Sequence, residues 1–91
     1  MEYILYSLPN CSMCDKVKNQ LKEKGINYRE INAGSKEGKI NFRNFYSGNK
    51  EKIQREDNGA IPFPILLADG NIIQGLEKII NSLNWNLILW K

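Results

Sequence analysis

Histidine is missing from this chain, cysteine occurs only twice, and no apolar run comes near the length of a membrane span. Each scarcity closes off a class of function. A structural zinc site takes four Cys or His ligands. Two cysteines and no histidine leave such a site half-built, unless a second copy of the chain or an exogenous thiol completes it. A membrane-crossing helix needs ~20 predominantly apolar residues, and none is available. The formal charge is +3, from thirteen Lys and Arg against ten Asp and Glu. That surplus is too small and too dispersed for a nucleic-acid surface, which would show a clustered basic face. Neither nucleic acid nor membrane is therefore expected as a partner. The start, "MEYILYS", carries Glu2, has no basic n-region and holds only a short apolar core, so it does not read as a secretory signal. A cytoplasmic setting is the default expectation, and there a disulfide is transient or catalytic rather than structural.

What remains is ordinary globular material. The 91 residues are 42% hydrophobic and 25% charged, enough for one small domain spanning 1–91 and too few for two ordinary cores. A monomer is expected. "EYILYS" (2–7) is a short β-prone apolar run ended by Leu8, Pro9 and Asn10, and it reads as a buried strand. From Cys11 to Lys24 no Gly or Pro intervenes. Cys14, Val17 and Leu21 fall at i, i+3 and i+7, with lysines on the other faces, which predicts an amphipathic helix capped by Asn10 and stopped by Gly25. "INYREI" (26–31) alternates as a second strand, and the three elements together make a right-handed parallel βαβ unit.

Residues 33–59 carry two Gly-punctuated helical patterns. The first puts Phe42, Phe45 and Tyr46 on one face, expected to be core, with Ser35 as its cap and Gly48 as its stop. The second has Ile53 as its one strong apolar anchor. "PILLADGNIIQG" then predicts a hairpin turning at Asp69-Gly70. Leu76, Ile79, Ile80 and Leu83 mark the inner face of a last helix, which Leu87 and Trp90 extend. The tail "NWNLILWK" (84–91) also fits strand-like pairing or a docking patch, since clustered exposed apolar residues often mark interfaces. The expected architecture is α/β: a four-stranded mixed sheet with helices against it.

"YSLPNCSMCD" (6–15) holds both cysteines, and the fold gives them a location. Cys11 falls where a parallel strand's carboxyl end meets the following helix, the place where reactive groups gather in α/β folds. Orphan N–H groups and the positive end of the helix dipole favour a thiolate there. They can bring a thiol from about 8.5 down into the range ~3.5–7.5. Cys14 lies one turn deeper, near enough to attack a mixed disulfide on Cys11 and too buried to react first. Cys11 is thus the candidate nucleophile and Cys14 the candidate resolving thiol. A C-x-x-C at a βα junction of a βαβ unit reads as a redox couple. The reading from another class is a thiolate carrier that holds an iron–sulfur cluster or soft metal across a dimer. Tyr6 fits either the groove beside Cys11 or the sheet core. Met13, between the cysteines, fits either a substrate contact or plain solvent exposure. Asp15 supports the helix through the dipole while its charge opposes a thiolate.

"ILYSLPNCSMC", the βαβ unit, "PILLADGNIIQG" and the final helix together resemble a glutaredoxin-like member of the thioredoxin superfamily, over about residues 3–32 and 60–84. The resemblance implies a thioredoxin-like three-layer fold. It also implies a cis-proline opening the third strand opposite the cysteines; the hairpin spacing favours Pro64, with Pro62 as the other candidate. It implies a substrate surface built from Tyr6, Ser12, Met13, Phe63, Pro64 and Gly75, with Phe63 pairing strand-like to an extended thiol substrate. No resident metal or cofactor follows beyond the redox-active disulfide, with glutathione as a candidate co-substrate. The implied partners are disulfide-containing proteins and either glutathione or a reductase.

The departures bear on that last choice. Glutathione-using members commonly carry Lys three residues before the first cysteine, where this chain has Leu8. Their Pro-Tyr between the cysteines is Ser12-Met13. Their Gly-Gly, small residue and acid after the fourth strand become Gln74-Gly75-Leu76-Glu77. Part of a glutathione carboxylate site is missing, and Gly75-Leu76 is similar to the redoxins that serve ribonucleotide reductase and are recycled by thioredoxin reductase. The expectation is a small thiol–disulfide oxidoreductase that reduces protein or low-molecular-weight disulfides through Cys11 and Cys14 and favours a thioredoxin-reductase-type system.

Overall fold

Alternation along "YILYS" sends Leu5 to one side of a sheet and Ile4 and Tyr6 to the other, and both sides are covered. The computed structural model describes residues 2–89, with side chains through Leu83. Its elements run β1 (Tyr3–Ser7), α1 (Ser12–Glu23), β2 (Arg29–Asn32), α2 (Lys36–Asn49), β3 (Ile65–Ala68), β4 (Asn71–Gln74) and α3 (Leu76–Leu89). The strands form one four-stranded sheet in the order β2-β1-β3-β4. β1 and β2 are parallel, while β3 pairs antiparallel with both β1 and β4. On one face Leu5 and Leu66 pack against Val17 and Leu21 of α1 and Ile79 and Leu83 of α3. On the other, Tyr6, Ile31 and Ile65 pack against Phe42 and Phe45 of α2. This is the expected three-layer mixed-sheet architecture.

Local chemistry accounts for several boundaries. Gly25, at φ +68°, ends α1, and the Ile26 N–H reaches back to the Leu21 carbonyl at 2.9 Å, a glycine helix stop. Asp69 and Gly70 both have positive φ, 51° and 89°, as a tight two-residue hairpin requires. Ser35 caps α2 by accepting the Gly38 N–H at 3.0 Å. Gly38 itself must be glycine, because a β-carbon there would collide with the Asn32 carbonyl.

Other boundaries correct the sequence reading. β2 begins at Arg29 rather than Ile26, because β1 offers pairing partners only from Ile4↔Arg29 onward; Ile26 and Tyr28 still pack on the α1–α3 side. Gly48 does not stop α2, which runs through it to Asn49. No second helix follows: residues 50–64 form turns, bends and irregular chain, with Ile53 buried at 4% exposure. One apolar anchor is too little to hold a separate helical face. Phe42, Phe45 and Tyr46 do share a face of α2, each half-buried. The Leu87 side chain, Trp90 and the docking reading of the tail lie outside the described residues.

Candidate functional site

β1 ends in Ser7, and the chain turns through Leu8, Pro9 and Asn10, whose φ is 56°. Asn10 is therefore not the helix cap. Its left-handed backbone makes the turn, and Cys11 takes the cap, extended at φ −110° and ψ 104°. The Cys14 N–H donates to Cys11 Sγ at 3.1 Å. A sulfur thus receives one of the N–H groups that a helix start leaves without an internal partner. Cys11 and Cys14 form a disulfide with 5.2 Å between their Cα atoms. Cys14 is fully buried, Cys11 half-buried, Ser12 exposed and Met13 51% exposed. Attack from outside can reach one sulfur of the pair and not the other.

Register brings the remaining pieces to the same end of the sheet. Tyr6 pairs with Ile65, and Ile65 with Gln74, so Phe63-Pro64 and Gln74-Gly75 flank the end of β1 from which the cysteine loop springs. The Phe63–Pro64 peptide bond is cis. Pro64 is fully buried, and its carbonyl accepts the Gly75 N–H at 2.9 Å. A groove of about 660 Å³ runs from Met13 past Gln74, Gly75 and Leu76 to Ile80. The structure therefore places Cys11, Ser12, Met13, Phe63, Pro64 and Gly75 at the same end of the sheet.

Tyr6 is a correction. It is 3% exposed and lies in the α2-side core, not in a groove. Its ring stacks on Phe45 at 4.6 Å and meets Phe42 edge-on at 5.5 Å, and Phe42 lies 5.2 Å from Phe63. Tyr6 is thus linked to Phe63 through the Phe42 ring. Burial raises its hydroxyl above the ordinary 10.0, against the opposing pull of Arg29.

A polar network ties β1, β2 and α1 together. Ser7 Oγ, buried, donates to Glu30 Oε2 at 2.7 Å, and Lys18 Nζ reaches the same oxygen at 2.6 Å. Burial alone would raise the Glu30 carboxyl, but the hydrogen bonds from Lys18 and Ser7 outweigh it and hold the group below its ordinary 4.5. The hydrogen bond to Glu30 in turn holds Lys18 above 10.5. Asp15 stands 3.7 Å from the same ammonium, which offsets part of its charge beside the cysteines. Sequence reading missed this network, whose members lie far apart in the chain and carry no motif. Among the described residues no group of three or more His, Cys, Asp or Glu could hold a metal ion, and no helix is long and apolar enough to cross a membrane.

A C-x-x-C disulfide at the start of α1, at the same end of a mixed four-stranded sheet as the cis Phe63–Pro64 bond, is the arrangement of a redox protein of the thioredoxin fold. The chain belongs to the glutaredoxin family, whose model matches residues 3–73. It is 28% identical over 74 residues to an uncharacterized glutaredoxin-like 8.6 kDa protein in the rubredoxin operon of Clostridium pasteurianum, a match covering 81% of this chain and 84% of that one. Glutaredoxin 1 from Francisella tularensis, solved with cacodylate, superposes with a TM-score of 0.65 at 19% identity, covering 99% of this chain and 98% of that one. The glutaredoxin-like NrdH-redoxin from Escherichia coli, described as having a thioredoxin-like activity profile, superposes with a TM-score of 0.64 at 14% identity, covering 93% of each chain.

Proposed function

We propose that this protein is a dithiol thiol–disulfide oxidoreductase that reduces disulfides of other proteins through Cys11 and Cys14. The single observation that carries the reading is the asymmetry of the pair: one sulfur half-exposed at a helix start, the other fully buried one turn inside. In the reduced protein the Cys11 thiolate attacks a substrate sulfur. A mixed disulfide forms, and the first substrate thiolate leaves and takes a proton. The Cys14 thiolate then attacks Cys11 Sγ, which re-forms the Cys11–Cys14 disulfide and releases the second substrate thiol. Two electrons have passed to the substrate, and an external dithiol or reductase returns them.

The helix start favours the attacking thiolate through its oriented N–H groups and dipole. Phe63 and Pro64 supply a backbone edge along which an extended substrate can lie, and Ser12 and Met13 supply the exposed surface beside the sulfur. Burial of Cys14 orders the two steps. As the recycling partner we propose a thioredoxin-reductase-type enzyme rather than glutathione, in a cytoplasmic setting. The departures at Leu8 and Leu76-Glu77 support that choice, as does the thioredoxin-like activity profile of the Escherichia coli relative. The test is reduction of insulin by catalytic amounts of the protein with dithiothreitol as electron source. Turnover well above the dithiothreitol background, abolished by Cys11→Ser, is expected. A wild-type rate equal to the background would overturn the reading.

A further inference from the structure

Between α2 and β3 the stretch 54–60 is weakly anchored, while Ile61 and Phe63 after it pack on the α2-side core. Gln74 is the side chain that hydrogen-bonds to the start of the stretch. From residue 54 to residue 60 every side chain is exposed. Within the segment, Glu56 donates its N–H to the Ala60 carbonyl and Gly59 donates to Glu56, both at 2.8 Å. Those bonds close a local turn without tying it to the sheet. Packing ties its flanks through Ile53, buried just before it, and Ile61 and Phe63 on the α2-side core just after it, and the Arg55 guanidinium lies 4.9 Å above the Tyr46 ring.

The Gln74 carboxamide makes a two-point contact with this segment. The Gln54 N–H donates to Gln74 Oε1 at 2.7 Å, and Gln74 Nε2 donates to the Gln54 carbonyl at 3.2 Å. The side chain thereby reproduces the pairing that a neighbouring strand would offer at the exposed edge of β4. The next residue acts on the segment's other end, through the Gly75 N–H on the Pro64 carbonyl at 2.9 Å. Two consecutive residues at the end of β4 thus bond to both ends of the stretch 54–64, which carries Phe63 to the end of the sheet from which the cysteine loop springs. Gln74 also lines the groove that begins at Met13.

We propose that Gln74 is a positioning residue for polypeptide substrates: its carboxamide holds the 54–64 segment in place, so that a protein disulfide meets a preformed Phe63 edge. The inference rests on the oxidoreductase reading above. Ordering a loop at the moment of binding weakens association without changing the chemistry that follows. Loss of the clamp therefore raises the substrate concentration needed for half-saturation and leaves the limiting rate of thiol–disulfide exchange alone. A small disulfide that does not reach Phe63 is indifferent to it. The family resemblance places glycine at this position, so the clamp is a device of this chain's own side chain.

The experiment uses pre-reduced protein freed of reductant and mixed in a single turnover with oxidised insulin or with cystine. Two variants are compared, Gln74→Ala, which loses both hydrogen bonds, and Gln74→Glu, which keeps an acceptor for the Gln54 N–H but cannot donate to its carbonyl. Two hydrogen bonds of ordinary net strength correspond to roughly tenfold faster hydrogen exchange at the Gln54 amide in Gln74→Ala. The half-saturating insulin concentration should rise about threefold or more, with the limiting rate and the cystine rate unchanged, and Gln74→Glu should fall between wild type and Gln74→Ala. Unchanged Gln54 exchange, or faster exchange with wild-type insulin saturation in both variants, would overturn the inference and leave the oxidoreductase reading standing. Wild-type protein inert toward both disulfides would remove that reading and this one together.

Discussion

The backbone N–H of Cys14 donates to the Sγ of Cys11, so the first cysteine caps the helix that carries the second. Cys14 lies with Val17 and Leu21 on the buried face of the same helix. Iodoacetamide applied to the reduced protein at neutral pH should alkylate Cys11 at least about tenfold faster than Cys14, because the thiolate reacts and only one site favours it. Cys14→Ser should accumulate a mixed disulfide with substrate that survives non-reducing electrophoresis. Equal alkylation rates would sink the division of labour.

The aromatic chain under the site gives a second expectation. Tyr6 touches Phe42 and Phe45 in the core and contributes little of itself to the surface. Tyr6→Ala should destabilise the fold by about 3–5 kcal/mol, as aromatic deletions in cores do. Tyr6→Phe keeps the ring and should leave insulin reduction within about twofold of wild type, since a core ring acts through packing alone. Denaturant midpoints and the insulin assay check the two halves. A large loss of activity in Tyr6→Phe with stability intact would return the residue to the groove.

The parts of the fold legible in the sequence are those decided locally. The period of Cys14, Val17 and Leu21, the Asp69-Gly70 turn and the Ser35 cap each carry their own chemistry, and the structure keeps all three. The C-x-x-C location followed from them. Where local signals and packing disagree, packing prevails. Gly48 reads as a stop, yet α2 runs through it to Asn49, with Phe42 and Phe45 holding the helix on the sheet. Cysteine is not a usual cap residue, so Asn10 drew the assignment that belongs to Cys11. The Gln74–Gln54 contact spans a separation of 20 residues, and the Ser7–Glu30 contact spans 23. Nothing in a one-dimensional pattern joins such pairs. Gln74 did leave one trace, a side chain where the family has glycine, which reads as a loss of one site before the structure shows it making another contact.

The Ser7–Glu30–Lys18 network sets a pH dependence whose sign follows from its two shifts. Glu30 is lowered from 4.5 in the folded protein, so its contribution is present above that value and fades as pH falls through the lower folded value. Lys18 is raised from 10.5, so its contribution is present below that value and fades as pH rises through the higher folded one. The stability gap between wild type and Glu30→Gln should therefore be flat from about pH 5 to about pH 10 and close on both sides. Both side chains are about a third exposed, at 30% and 36%, and solvent screening keeps the gap to about 1 kcal/mol or less. Urea unfolding across pH measures it, and added salt should shrink it. A gap that widens below pH 4 would contradict the assignment.

The reductant is the last point, and it depends on a charge that Leu8 does not carry. Leu8 is 37% exposed on the turn leading to Cys11, where glutathione-using relatives commonly present a lysine. Glutathione brings two carboxylates, and a hydrogen bond to a charged group contributes about 1.5–3 kcal/mol, roughly tenfold to a hundredfold in affinity. Leu76 and Glu77 add bulk and a negative charge at the other end of the site. The helix start at Cys11 and the backbone around Pro64 remain, so glutathione should drive turnover slowly rather than not at all. Thioredoxin reductase with NADPH should drive insulin reduction faster than glutathione with its own reductase. Leu8→Lys should lower the glutathione concentration for half-maximal turnover by about tenfold and leave the dithiothreitol-driven rate unchanged, because the sulfur chemistry is untouched. Efficient glutathione turnover by the wild-type protein would move the missing charge to α2, where Lys39 and Arg43 are exposed, and their replacement by alanine would then abolish it.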